Sequence, residues 1–292
     1  MTRWLISVPV WGERYVDEFC ATTLPALDRA IVALGQRQKV DARMIIHTDQ
    51  PERIGGASGS VIEFRPVPAG MREFDCMSQG HRDVLALGLR GDVVVLLTAG
   101  SVISEQGLVY CAEVLDDPTI RVVLCAVPRV LASGVFPDTA DAQALMSWAW
   151  EHRHPMTEEC VWPCGLSVDL SRTFFVSEDA VVTRQALPHP LAVRIDGRVL
   201  RFTPTVDANL MHCFTTTEMH VALDCAALAV LKLSPADKGF DRAASTMSER
   251  AVAGKLVIGD AHQRWCINHQ VFLWGGAASC GDDKFMASIK WR

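Results

Sequence analysis

An uninterrupted apolar run, Val93-Val94-Val95-Leu96-Leu97, follows a Gly91-Asp92 turn and leads into the small polar segment Thr98-Ala99-Gly100-Ser101. A run that short, with no alternation, fits a parallel strand covered on both faces. Parallel strands need crossover connections, so the surrounding chain should alternate strands and helices. It does. Trp4 to Val10 reads as a first strand ending near Pro9. Trp11-Gly12-Glu13-Arg14 then turns into a helix with apolar residues at Val16, Phe19, Cys20, Leu24, Leu27, Ile31 and Leu34, one buried stripe. Pro25 predicts a kink or a second helical segment, with Thr22 or Thr23 as its cap. Ala42 to His47 is a second strand, closed by the turn Thr48-Asp49-Gln50-Pro51. Val61 to Pro66 is a third, 67–78 a loop, and 81–90 a helix that feeds the central run. The expected fold class is α/β: a Rossmann-like, mostly parallel sheet with helices on both faces.

Farther on, Ser104 to Leu115 predicts a helix and Arg121 to Val127 another buried strand. After Pro137 the texture changes. Residues 138–153 look helical, 160–215 are short β-like runs broken by Pro and Gly, and 219–224 and 228–233 are strand-like. A polar loop at 234–245 and a helical stretch over 246–273 complete the chain. This pattern suggests an amino-terminal half, 1–135, and a mixed α+β half, 136–292, as two domains or one continuous one.

The net charge of −6 and pI of about 5.8 argue against a nucleic-acid backbone as the main partner. Most of the ten cysteines sit in apolar runs, and Cys160-Val161-Trp162-Pro163-Cys164 is not a CxxC motif. Buried, reduced thiols rather than disulfides or structural zinc are expected. The first residues enter a strand with no signal-peptide anatomy, and no apolar run nears the roughly 18 residues of a membrane span. A cytoplasmic location follows as the expectation. No GxSxG motif or P-loop is present, and Gly55-Gly56-Ala57-Ser58-Gly59 lacks the strand and helix of a dinucleotide fingerprint.

Three pieces of the chain carry a resemblance. Ile6-Ser7-Val8-Pro9-Val10-Trp11-Gly12-Glu13 resembles the opening strand and nucleotide loop of family-2-type glycosyltransferases of the GT-A fold. Met44-Ile45-Ile46-His47-Thr48-Asp49 is similar to their second strand, whose terminal acid contacts the nucleoside. Gly80-His81-Arg82-Asp83, with Gly91-Asp92 and the run after it, is similar to the helix and strand that lead to their metal motif. The likeness covers about residues 4–127, and order and spacing carry it.

The resemblance implies a nucleoside-diphosphate sugar as donor and an unidentified acceptor. It places nucleotide contacts at Pro9, Val10, Trp11, Glu13, Thr48, Asp49, His81, Arg82, Thr98, Gly100 and Ser101. It also implies an Asp-x-Asp pair holding Mg²⁺ or Mn²⁺ against the diphosphate, and here the chain departs, because Thr98, Gly100 and Ser101 offer no carboxylate. Three readings stay open: metal-independent transfer, metal held by other groups such as Asp92 or Asp207 with a histidine, or a binding protein without activity. No metal site is assigned, and no cofactor is certain.

Several residues have a structural and a chemical reading side by side. Asp49 is either an Asx-turn residue before Pro51 or a ligand for base or ribose. His81 and Arg82, at an expected helix start, suit phosphate or simple exposure. In Trp148-Ala149-Trp150-Glu151-His152-Arg153-His154-Pro155, residues Trp150, His152, Arg153 and His154 fit acceptor binding or a packed junction. The general base expected of an inverting transfer would be Glu151 or Asp207, with Asp169, Glu178 and Asp179 as further carboxylates. Glu178-Asp179 also fits the turn of a β-hairpin, and Asp207 a helix cap. Lys232, Lys238 and Arg242 fit a lid over a diphosphate or a solvated loop. A non-catalytic accessory protein and a different transfer chemistry in the same cleft remain rivals, and the sequence leaves the oligomeric state open.

Overall fold

The computed structural model describes residues 1–56, 59–68, 70–132, 137, 141–161, 172–198, 200, 210–236 and 260–275. They belong to two compact units: Met1–Leu124 with Pro190–His220, and Cys125–His189 with Val221–Arg292. In chain order the elements begin with β1 (Thr2–Pro9), α1 (Glu13–Glu18), a π-helical turn (Phe19–Thr23), α2 (Leu24–Arg37), β2 (Val40–Thr48) and β3 (Val61–Pro66). There follow α3 (Glu73–Leu87), β4 (Val93–Leu96), β5 (Ser101–Ile103), α4 (Gly107–Leu115), β6 (Val122–Cys125), β7 (Arg129–Leu131), α5 (Ala142–Glu151) and α6 (Pro155–Glu158). The last are β8 (Arg172–Val176), β9 (Ala180–Gln185), β10 (His189–Arg194), β11 (Met219–Val221), β12 (Val230–Ser234), α7 (Ala261–Ile267) and β13 (Val271–Gly275).

A seven-stranded sheet in the order β11-β6-β10-β4-β1-β2-β3 organises the first unit. Strands β3, β2, β1 and β4 run parallel in fixed register, with Ile6 beside Met44 on one side and Val95 on the other. Strand β10 returns antiparallel to β4, pairing Val193 with Val94. The mixed α/β architecture with a mostly parallel sheet agrees with the sequence reading. Its cause is visible in burial: Trp4 to Val10 and Val93 to Leu97 are all buried, as strands covered on both faces must be. On α2 the inward stripe is Leu24, Leu27, Ala30, Ile31 and Leu34. Each fully buried leucine or isoleucine contributes about 1.5–3 kcal/mol relative to exposure.

Some expectations need correction. The expected kink at Pro25 takes the form of the π-helical turn, with the proline in the first turn of α2, where its missing N–H is harmless. Neither Thr22 nor Thr23 caps the helix; Thr22 donates to the Glu18 carbonyl at 2.7 Å. Helix α3 begins at Glu73, within what reads as a loop, because the burial of Cys76 and Ser78 against the sheet outweighs the polar character of that stretch. The expected helix over 246–273 ends at Ile267, and Val271–Gly275 is a strand. The part from 246 to 259 lies outside the described residues.

In the second unit β8, β9 and β13 form an antiparallel sheet. Glu178 and Asp179 lie in the β8–β9 turn, the hairpin alternative of the sequence reading, closed by Ser177 N–H to the Ala180 carbonyl at 2.9 Å. Strand β12 pairs in parallel with β7. Arg184 of β9 reaches the C-terminal carbonyls of α7, donating to Ile267 at 3.1 Å and Asn268 at 2.9 Å. That satisfies acceptors which a helix end leaves open. Among the described residues no helix is long and apolar enough to cross a membrane.

One ion network ties the chain leaving β10 to the turn entering β11. Arg198 contacts Asp196 at 2.6 Å and Glu218 at 2.5 Å, and donates to the Cys213 carbonyl at 2.9 Å. Glu218 also accepts from Thr215 N–H at 2.8 Å in a capping box. The Arg198 hydrogen bonds, joined by Thr215, hold the Glu218 carboxyl down at about 2, against an ordinary 4.5. A depressed carboxyl stabilises the fold fully above its unfolded value and loses that contribution as pH falls through the folded one. The melting temperature should therefore decline between pH 4.5 and 2 more steeply in the native chain than in Glu218→Gln. Equal slopes in calorimetry across that window would contradict the network's role.

Candidate functional site

The parallel strands define where a ligand can sit. From β1 the chain moves outward to β2 and β3, then crosses back to β4 on the other side of β1. The carboxyl ends of β1 and β4 therefore bracket a topological switch point, the crevice where open α/β sheets bind ligands. Two loops meet there, Val10–Glu13 after β1 and Leu97–Gly100 after β4.

Backbone bonds hold both loops at the sheet. Val10 N–H donates to the His47 carbonyl at 2.8 Å, Leu97 N–H to Ser7 at 3.0 Å, and Ala99 N–H to Pro9 at 3.2 Å. Gly12 has φ of +74° and donates its N–H to the Asp49 carboxylate at 3.0 Å. The tip of β2 thus fixes the β1 loop in a conformation that favours glycine. One Asp49 oxygen is used by the β1 loop rather than by an Asx turn before Pro51, where Thr48 instead accepts from Gln50 N–H at 3.1 Å. Gly100, at φ of +75°, donates to the buried Thr23 hydroxyl at 3.0 Å, which explains why Thr23 serves no helix cap. Thr98 and Ser101 bond to each other, hydroxyl to hydroxyl at 3.1 Å, and Ser101 also accepts from Thr98 N–H.

Beneath the loops lies a histidine layer that the sequence reading missed in part. His81 is buried in the middle of α3, its Nδ1 2.9 Å from the Ser7 hydroxyl. With α3 starting at Glu73, the helix-terminus argument for phosphate at His81 and Arg82 does not apply; Arg82 is exposed and donates to Ser78 of its own helix. His47 is buried too, with Asp83 3.3 Å from its Nε2. Burial pushes the His47 imidazolium below its ordinary value, against the pull of Asp83, so the ring is neutral near neutrality. Ser7 carried a legible signal, a hydroxyl inside an apolar strand. His47 and Gly80 carried none.

At the mouth, Trp11 and Tyr15 lie with ring centroids 5.1 Å apart, both half-buried. Glu13 is exposed and shares Arg53 with Asp17, at 3.4 and 2.6 Å. Pro9, Val10, Trp11, Thr48, Asp49, Thr98, Gly100 and Ser101 are thus gathered at the strand tips of one unit. The remaining candidates are elsewhere. Glu151 is exposed at the end of α5 in the second unit, and Asp207 and Asp169 lie outside the described residues. Trp150 is occupied by Phe174, 5.8 Å away, and by the Arg153 guanidinium at 4.9 Å. His152 stacks on Trp148 at 4.5 Å. His154 is fully buried, accepting from Met156 N–H at Nδ1 and bonding the Pro235 carbonyl through Nε2. Its two nitrogens are engaged in the fold, which is the packed-junction alternative for that residue. Lys238 and Arg242 lie outside the described residues.

The residues at the β4 tip do not fit the divalent cation that the resemblance implies. A hard cation needs charged oxygen ligands, whereas Thr98 and Ser101 present hydroxyls committed to each other. Asp92 does not substitute for them. It precedes β4, at the opposite end of the strand, and is held by Arg3 and by Leu89 N–H at 2.6 Å.

No protein-family model and no curated protein matches this chain. Among solved structures, that of S. aureus TarS is similar over 99% of this chain and 43% of its own length, with 12% identity and a TM-score of 0.37. The structure of S. aureus TarS 1–349 in complex with UDP is similar over 90% of this chain and 68% of that one, at 12% identity and a TM-score of 0.38. This chain thus spans less than half of the first of these proteins. The functional reading rests on the chain's own residues.

The contact between α3 and the strand tips is tight enough to test. A Cβ at Gly80 would come within 2.8 Å of Pro9 Cγ and 3.1 Å of His47 Nδ1. Gly80→Ala should cost about 1–3 kcal/mol of unfolding free energy, as overpacking does. A denaturation midpoint equal to that of the native chain would show that the tips yield freely.

Proposed function

We propose that the β1–β4 crevice binds the nucleoside diphosphate of an activated sugar, and that the protein transfers the glycosyl group to an acceptor without a metal at the β4 tip. The observation that carries this reading is the convergence of the Val10–Glu13 and Leu97–Gly100 loops at the switch point, with Gly12 clamped by Asp49. Thr48, Asp49 and Trp11 would hold the nucleoside. The indole offers a flat apolar face, and the second Asp49 oxygen an acceptor for base or ribose. The backbone and hydroxyls of 98–101 would face the diphosphate. A general base must take the acceptor hydroxyl proton as its oxygen attacks the anomeric carbon, and the sequence offers Glu151 or Asp207 for that role. The leaving diphosphate would then rely on donors and cationic side chains rather than on a bound ion.

Titration calorimetry with uridine, guanosine and adenosine diphosphates in EDTA tests the site. At least one should bind, and Asp49→Ala or Gly12→Ala should weaken it roughly tenfold, about 1.4 kcal/mol. Indifference to all three, with or without Mn²⁺, would overturn the reading. For the base, sugar-nucleotide turnover should collapse in Glu151→Gln or in Asp207→Asn. Full turnover in both variants would remove both from the role.

A further inference from the structure

Among the described residues β3 is one edge of the seven-stranded sheet, β11 being the other, and its residues are unusually exposed for a strand. Val61 is 65% and Phe64 37% accessible, although both are large and apolar. The direction of its backbone groups follows from one bond. Val67 N–H donates to the Thr48 carbonyl of β2, so by the alternation of a strand Val61, Glu63 and Arg65 also face β2. The N–H and C=O of Ile62 and Phe64, and the carbonyl of Pro66, therefore point away from the sheet. Pro66 sits where no ladder donor is lost, as a proline in an edge strand should.

Exposed edges of this kind pair with other strands unless something blunts them. Here the side chains are self-complementary about Phe64. On one face Glu63 and Arg65 flank it with opposite charges and already contact each other. In an antiparallel pairing of two copies centred on Phe64, each Glu63 falls opposite the other copy's Arg65. The two Phe64 residues exchange both N–H to carbonyl bonds, and each Ile62 N–H meets the other copy's Pro66 carbonyl. Such opposed charge pairs stabilise cross-strand neighbours, and a two-fold axis makes each contact occur twice. A shifted register that places Glu63 against Glu63 or Arg65 against Arg65 is repelled. Charge thus selects one register.

We propose that β3 is a homodimerisation edge, joining two copies of this chain in an antiparallel, two-fold strand pair centred on Phe64. The interface is short, so the association is weak and concentration-dependent. It is independent of what the strand-tip crevice binds.

Sedimentation velocity over a concentration series tests it. The native chain should shift from monomer to dimer as concentration rises, and the shift should weaken with added salt. Phe64→Pro removes an outward N–H and leaves the bonds to β2 intact; it should abolish the dimer with little change in melting temperature. Glu63→Arg should also abolish it, and the double variant Glu63→Arg/Arg65→Glu should restore it, since the swapped pair is again self-complementary. If Phe64→Pro lowers the melting temperature substantially, the charge series alone decides. A chain that stays monomeric at every concentration, or a dimer that survives Glu63→Arg, overturns the proposal.

Discussion

Everything in the first unit is referred to β1. Like β2 it has parallel partners on both sides, and its backbone bonds position the loops beside it. Ser7 and Pro9 accept from Leu97 and Ala99, while Val10 donates to His47. Because the strand is buried from Trp4 onward, an unpaired peptide group there would carry the full desolvation cost of a lost hydrogen bond, about 1–3 kcal/mol. The two loops at its carboxyl end therefore inherit their separation from the sheet rather than from contacts of their own.

The polar chemistry around that strand is arranged in two tiers. At the surface, Asp49 and Gly12 shape the loop; beneath them Ser7 meets His81, Thr23 accepts from Gly100 N–H, and His47 lies against Asp83. The second tier is built of hydroxyls and imidazole rings, and burial pushes the His47 imidazolium below its ordinary value. Desolvation favours that choice, because a neutral ring or hydroxyl survives burial at far lower cost than an unpaired carboxylate. The pairing of Thr98 with Ser101 belongs to the same logic, one hydroxyl bonding the other at the tip.

Much of the architecture was legible in the sequence because burial on two faces leaves a specific mark. The strands at Trp4–Val10, Ala42–His47 and Val93–Leu97 are apolar runs, and the stripe from Val16 to Leu34 has helical spacing. The onset of α3 was not legible, since residues 67–78 mix Pro, Gly and charge, and only the burial of Cys76 and Ser78 against the sheet makes the helix worthwhile. Likewise 271–275 has both helical and strand character, and pairing with β9 decides it. Of the candidate residues, Asp49 and the Pro9–Gly12 segment were recognisable from their position after a strand. His152 and His154 look alike in sequence, yet one ends α5 on a tryptophan face and the other is buried at the start of α6.

By itself the sequence determined the alternation of strands and helices, the apolar identity of the central strands and the lack of carboxylates at the β4 tip, because each is a property of residue type and spacing. Only the tertiary structure decided that the chain returns after residue 189 to add an antiparallel strand beside β4, that Thr23 meets Gly100, and that Gly80 abuts Pro9 and His47. These contacts join residues far apart in the chain. No local propensity encodes them, since their energy appears only once the sheet has brought the partners together.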